Sequence, residues 1–175
     1  MKVKNILRTL IILTMLTLNI GCDQISKSIV RQRIDYNEKI NLVMDYLILT
    51  KVENTRAFLS IGHSLPQPLR MLLLTILPII VLCIALFYLL TKKSLSNLTI
   101  LGICFVVGGG VGNIYDRLVY GSVTDFLQMN FVIVRTGIFN MADVSIMAGM
   151  FMILLAAYLK QTKFNYETVD KISEE

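Results

Sequence analysis

Apolar residues in this chain fall in long blocks, with polar positions gathered between them. Four blocks are long enough, or nearly so, to cross a hydrocarbon layer of about 30 Å, which takes roughly 20 helical residues. They lie at about 6–21, 69–90, 98–111 (continuing toward Ile114) and 141–159. The second is the clearest, because no charged residue stands between Arg70 and Lys92. Its Pro78 predicts a kink of the kind membrane helices accept. The third ends in glycines, which leaves its outer boundary open.

The segments between the blocks carry patterns of their own. Residues 40–52 are rich in strand-favouring side chains, and Asn37 and Asn41 offer turn chemistry. Residues 123–126 and 131–134 read as further short strands. A small sheet on the membrane surface follows. The expected fold is an all-α membrane protein of four transmembrane helices with a small extracytoplasmic β-rich region. One membrane domain covers 1–160, with outer loops at about 28–69 and 115–138, and a polar tail follows at 161–175. No internal repeat is visible.

Composition supports this reading. The chain has 175 residues, of which 55% are hydrophobic and 17% charged, too apolar a balance for a water-soluble domain. Charge then orients it. Lys2, Lys4 and Arg8 precede the first block, Lys92 and Lys93 fill the short middle loop, and Lys160 and Lys163 follow the last block. With four spans these places share one side. The first long loop is basic too, with Lys27, Arg31, Arg33, Lys39, Lys51, Arg56 and Arg70. The basic density of the short loop decides for both termini being cytoplasmic and both long loops outside. Membrane lipid is the expected surrounding, and no nucleic-acid partner is expected.

The first block has two readings. Basic residues, an apolar stretch and then Gly21-Cys22 imitate a lipoprotein signal peptide. Three further spans follow, however, and Asn19 stands where such a cleavage box has an aliphatic residue. An uncleaved first helix is therefore expected, with Cys22 buried near its end. Cys22, Cys83, Cys104 and the single His63 form no close ligand set, so neither a metal nor another cofactor is expected.

Ionisable side chains at the edge of a membrane helix are costly and need a reason. Asp23 and Lys27 lie four residues apart on one helical face at the outer end of the first span. Asp116 and Arg117 end the third span, Asp143 begins the fourth, and Asp125 lies in the loop between. With an even number of spans all of them reach one surface. Asp23 with Lys27, and Asp116 with Arg117, are equally well read as structural ion pairs. Asp125 and Asp143 have no basic neighbour in sequence beside them and favour a functional role. The run Gly108-Gly109-Gly110-Val111-Gly112-Asn113 completes no phosphate-binding motif, so close helix packing is its expected role.

Five blocks, in order, resemble the bacterial lipoprotein (type II) signal peptidases. Asp23-Gln24-Ile25-Ser26-Lys27 resembles that family's D-Q-x-S/T-K. Asn54-Thr55-Arg56-Ala57-Phe58 resembles its N-x-G-A, with Arg56 in place of the usual glycine. The stretch from Gly109 through Gly112, Asn113 and Asp116 to Arg117 resembles G-x-x-G-N-x-x-D-R. Val123-Thr124-Asp125-Phe126 resembles V-x-D-F, and Phe139-Asn140-Met141-Ala142-Asp143 resembles F-N-x-A-D.

The resemblance implies an aspartyl endopeptidase with Asp125 and Asp143 as its catalytic dyad and without metal or covalent intermediate. It implies a diacylglyceryl-modified prolipoprotein as substrate, cut immediately before the lipidated cysteine. By the same resemblance Asn54, Asn113, Arg117 and Asn140 orient the dyad or the substrate backbone, Asp23 and Lys27 brace the first helix, and Gly109, Asp116 and Ala142 support the site. A monomer in the inner membrane, with its site near the outer face, is expected. A small proton-coupled transporter or channel is the alternative. It calls for ionisable residues in mid-span or for paired repeats, and neither is present. A non-enzymatic scaffold would account for the spans but not for the five ordered blocks.

Overall fold

The computed structural model describes residues 2–36, 38–55, 66–131 and 133–173. Four helices are long and apolar enough to span a membrane: Ile6–Arg33, Gln67–Thr91, Asn97–Tyr120 and Met141–Lys163. Helix α1 (Lys2–Arg33) forms the first. The second combines α2 (Gln67–Met71), a π-helical turn (Leu72–Ile76) and α3 (Leu77–Thr91). The third is α4 (Asn97–Tyr120), and the last is α5 (Met141–Ser173). Leu10, Phe87, Phe151 and Leu154 are among many large apolar side chains left facing outward, as a helix wall against lipid requires.

Three helices run further than hydropathy marks, and one of them, α5, continues to Ser173 through most of the segment read as a polar tail. Helix α1 continues to Arg33, and α4 to Tyr120, each into residues assigned above to an outer loop. Both of these extensions carry charges, and hydropathy does not register a helix where charges such as those of Arg31 and Asp116 meet inside protein. Cys22 corrects a second expectation. It lies inside α1 with its side chain exposed, while the next residue, Asp23, is buried. Pro78 lacks the N–H that would bond to the carbonyl of Leu74, and the π turn immediately before α3 absorbs the mismatch.

Helix α4 is the hub, packing against α1, α3 and α5. Its glycines make that possible. A Cβ at Gly108 would meet Asn19 of α1, one at Gly110 would meet Leu82 of α3, and one at Gly102 would meet the Gly149 carbonyl of α5. The apolar core of Ile12, Leu89, Ile103, Cys104 and Val107 joins α1, α3 and α4. Ser96 caps the start of α4 by accepting from the Thr99 N–H at 3.1 Å. Gly121, at φ 74°, ends the helix in the left-handed conformation that glycine tolerates.

Three antiparallel strands follow the order β1 (Ile40–Val43), β2 (Leu47–Asn54), β3 (Val123–Met129). Val52 faces Asp125 and Asn54 faces Val123. Two expectations change here. Asn41 lies in β1, not in a turn, and its amide donates to Asp45 at 2.9 Å. Phe131 and Val134 exchange backbone hydrogen bonds and form a turn, not a strand. Asn37 and the segment 56–65, with Arg56, Ala57 and Phe58, lie outside the described residues.

Candidate active site

Five elements deliver polar side chains to one end of the helix bundle: the late part of α1, the end of α4, strands β2 and β3, and the start of α5. On α1 the spacing of four places Asp23, Lys27 and Arg31 on one face. Asp23, Lys27 and Asp116 are fully buried or nearly so. Lys27 Nζ donates to Asp23 Oδ2 at 2.8 Å and to Asn113 Oδ1 at 2.9 Å, and lies 3.1 Å from Asp116 Oδ2. Two hydrogen bonds and one further charge contact thus surround the ammonium. Arg31 adds a second cation, with Nη2 2.9 Å from Asp116 Oδ1. This is a charge contact without hydrogen-bond alignment. Two carboxylates against two cations make the cluster neutral, the condition under which buried charge is tolerated.

The ion pairs differ from those read in the sequence. Asp23 with Lys27 forms as expected. Asp116 pairs with Lys27 and Arg31 rather than with Arg117. Consecutive helical residues point in different directions, so sequence adjacency does not make a pair. Among the described residues Arg117 forms no ion pair within 4.0 Å. Its half-buried guanidinium lies in electrostatic reach of Asp125, Asp143 and Asp116.

The same cluster ties helices together. The other Asp23 oxygen, Oδ1, accepts the backbone N–H of Ala142 in the first turn of α5 at 2.9 Å. A Cβ at Gly112 would strike Asp23 Oδ2, and one at Gly109 would strike the Ala142 carbonyl. These two glycines therefore bring α1 and α5 against α4 where the polar residues meet. Gln24 Nε2 reaches Asp23 Oδ2, the Gly112 carbonyl and Asp116 Oδ1 within 3.2 Å.

Asp143 sits in the first turn of α5. Its Oδ2 accepts the Asn140 backbone N–H at 3.1 Å, while Asn140 Oδ1 accepts the Asp143 N–H at 3.0 Å. This reciprocal pair closes the helix start as a capping box does. Asn113 Nδ2 donates to Asp143 Oδ1 at 2.9 Å. Because Lys27 bonds to the oxygen of that amide, its NH2 is turned toward Asp143.

Asp125 projects from β3 and is 4% exposed. Asn140 Nδ2 donates to its Oδ1 at 2.6 Å, and Asn54 Nδ2 donates to its Oδ2 at 2.8 Å. Asn54 comes from β2, diagonally across the sheet on the same face. Burial pushes the Asp125 carboxyl up to about 6, opposed by the Asn54 hydrogen bond, raised further by the charge of Asp143 and opposed again by Asn140 and Lys27. Every oxygen of the two carboxylates accepts at least one N–H.

Asn54, Gly109, Asn113, Asp116, Asn140 and Ala142 therefore all converge with Asp23, Lys27, Asp125 and Asp143. Sequence reading missed Arg31, although it continues the spacing of four from Asp23 and Lys27. It also missed a layer beneath β3, where Arg31 Nε donates to Thr124 Oγ1 at 2.8 Å and Thr124 in turn donates to Glu53 at 2.8 Å. Ser122 donates to the other Glu53 oxygen at 2.6 Å. Nothing in the spacing of Glu53, Ser122 and Thr124 announces that the sheet will stack them. Among the described residues no group of three or more His, Cys, Asp or Glu side chains comes together to hold a metal ion.

The family model described as signal peptidase (SPase) II matches residues 15–159. A lipoprotein signal peptidase of Streptococcus pneumoniae is 32% identical over 151 residues, covering 86% of this chain and 94% of that protein. One of Treponema pallidum is 31% identical over 148 residues, covering 81% and 78%. One of Streptococcus agalactiae is 28% identical over 160 residues, covering 91% and 99%. A solved structure described as a bacterial membrane enzyme superposes with a TM-score of 0.76 at 24% identity, over 86% of this chain and 88% of that one, and so shares the fold. Matched along most of its length, with the charged and amide residues of its motifs gathered at one end of a four-span bundle, the chain belongs to the signal peptidase II family and is a membrane peptidase.

Proposed function

We propose that this peptidase hydrolyses the signal peptides of diacylglyceryl-modified prolipoproteins immediately before the lipidated cysteine, with Asp125 and Asp143 as its catalytic pair. The observation that carries the assignment is the shared Asn140, which donates from its side chain to Asp125 and from its backbone to Asp143. It links the two carboxyls through one residue, and carboxyls held close share one proton more readily than they both ionise.

The environments of the two carboxyls divide the roles. Asp143 lies at the positive end of α5 and accepts N–H bonds on both oxygens, and it is read as the base. Asp125 is buried in the sheet and holds its proton to about pH 6. Asp143 takes a proton from water as the water oxygen attacks the scissile carbonyl. The Asp125 O–H stabilises the developing oxyanion, and a proton passes to the leaving amine as the C–N bond breaks. Arg117, which forms no ion pair among the described residues, is assigned to orient the substrate backbone.

The termini are read as cytoplasmic and the site as lying at the outer face, on the strength of the basic middle loop. The chain is read as a monomer. A transporter reading lacks support beside a peptidase family match. The direct test is incubation of the purified chain in detergent with a diacylated prolipoprotein and with its unmodified precursor. Only the diacylated form is expected to yield the shorter product. Equal cleavage of both would reject the substrate assignment.

A further inference from the structure

At the end of the bundle remote from Asp143, the start of α1 and the end of α3 enclose a second feature. A cavity of about 240 Å³ is lined by Arg8, Thr9, Ile12, Leu90 and Lys93. Arg8 lies 15 residues before Asp23, about 22 Å along the helix, so this cavity is separate from the peptidase site. Its lining is divided chemically: two cations and a hydroxyl on one hand, two aliphatic side chains on the other, and no carboxylate.

Arg8 is held in place. One guanidinium nitrogen, Nη2, donates to the Leu89 and Lys92 carbonyls, each at 2.7 Å. These belong to the last turn of α3, whose unpaired carbonyls carry partial negative charge. The contact covers a helix end that would otherwise repel an anion. It leaves Arg8 Nε buried with no hydrogen-bond partner. A buried donor on a cation is expensive to leave unmet. Lys93 lines the same cavity, is exposed, and makes no hydrogen bond or ion pair among the described residues.

We propose that this cavity is a binding site for a phosphate group, supplied by the headgroup of an anionic phospholipid. The phosphate accepts from Arg8 and Lys93, and Ile12 and Leu90 receive the glycerol and first methylenes. The outward apolar faces of α1 and α3 then continue along the acyl chains. A fixed guanidinium presents several N–H donors to phosphate oxygens, and Lys93 supplies a mobile point charge. Such a lipid would clamp α1 to α3 at the end away from the site. The inference is independent of the catalytic assignment.

The test uses the full chain in detergent and native mass spectrometry, with phosphatidylglycerol, phosphatidylcholine and inorganic phosphate as probes. Wild type is expected to retain phosphatidylglycerol in preference to phosphatidylcholine. Lys93→Gln, which touches no structural contact, is expected to weaken that retention about five-fold, the effect of one cation near an anionic headgroup. Arg8→Gln should weaken it at least as much, though it also uncaps α3. Competition by millimolar inorganic phosphate would support the phosphate site but assign it a soluble occupant. Failure of inorganic phosphate to compete, with phosphatidylglycerol retained, would support the lipid. Equal retention of the two lipids, or retention unchanged in Lys93→Gln, would overturn the proposal.

Discussion

The Asn140 amide donates to Asp125 Oδ1 at 2.6 Å, the shortest of the hydrogen bonds that reach either carboxyl of the proposed pair. One residue so placed sets the spacing between a strand and a helix start. Asn140→Ala removes the donor to Asp125 and the cap on α5 together. A misplacement on the order of 1 Å costs about 100-fold in rate. A loss of that size in kcat, with KM little changed, is expected in steady-state assays. Wild-type kcat would show that the bond is incidental.

The carboxyls themselves admit a stricter test. Asp125→Asn and Asp143→Asn keep the shape and much of the hydrogen bonding but cannot carry the proton. Each is expected to abolish most cleavage, and the double variant to be little worse than either, because groups acting as a unit are not additive. Both should still insert in the membrane and bind lipidated substrate. Near-normal turnover by either, at verified protein levels, would remove the pair as assigned.

The Asp125 carboxyl, raised to about 6 by burial, sets a pH dependence. With free enzyme, kcat/KM is expected to fall as pH rises through that region, as the pair loses its shared proton. Stability has a related sign. Asp125 binds its proton more tightly folded than unfolded, where the carboxyl titrates near 3.8. Its burial therefore costs stability above about pH 6, and that cost fades as pH falls toward 3.8. Thermal unfolding of wild type against Asp125→Asn isolates this contribution, and parallel pH profiles for the two would contradict it.

Lys27 reaches into both the ion cluster and the site. Lys27→Met leaves Asp23 and Asp116 with less compensation in a buried place, and removing one partner of such a cluster costs about 3–5 kcal/mol. A marked loss of melting temperature is expected. Asp116→Asn keeps the hydrogen-bonding shape and should lose less, with partial activity at low temperature. If Lys27→Met melts like wild type, the cluster is not the brace described here.

Gly109→Ala tests the approach of α4 and α5. The added methyl would meet the Ala142 carbonyl, which is backbone and cannot rotate away. Overpacking of this kind costs about 1–3 kcal/mol. Because Ala142 directly precedes Asp143, activity should fall along with stability. Unaltered activity would show that α5 shifts without disturbing the pair.

Orientation has its own check. An alkaline phosphatase fused after Glu53 is expected to be active, and one fused after Glu175 inactive. The reverse pattern would turn the molecule over and place the site at the inner face.

The sequence by itself determined the four spans, because burying helices in lipid demands unbroken apolar runs that nothing else in a chain of this size requires. It also determined which residues to watch, since charge at a membrane edge is rare enough to stand out. Their order along the chain carried the family. Tertiary structure alone decided who pairs with whom. Asp116 looked tied to Arg117 but binds Lys27 and Arg31, because a helix turns adjacent side chains apart and brings distant helices together. Helix ends at Arg33 and Tyr120 escaped hydropathy because Lys27, Arg31 and Asp116 interrupt the apolar run, and those charges are met by protein rather than by water. The layer of Glu53, Ser122 and Thr124 stayed invisible because strand register, which stacks them, depends on partners far away in the chain. Likewise the orientation of the Asn113 and Asn140 amides, on which the proton's location turns, is set by Lys27 and by the α5 start, contacts that exist only once the bundle has closed.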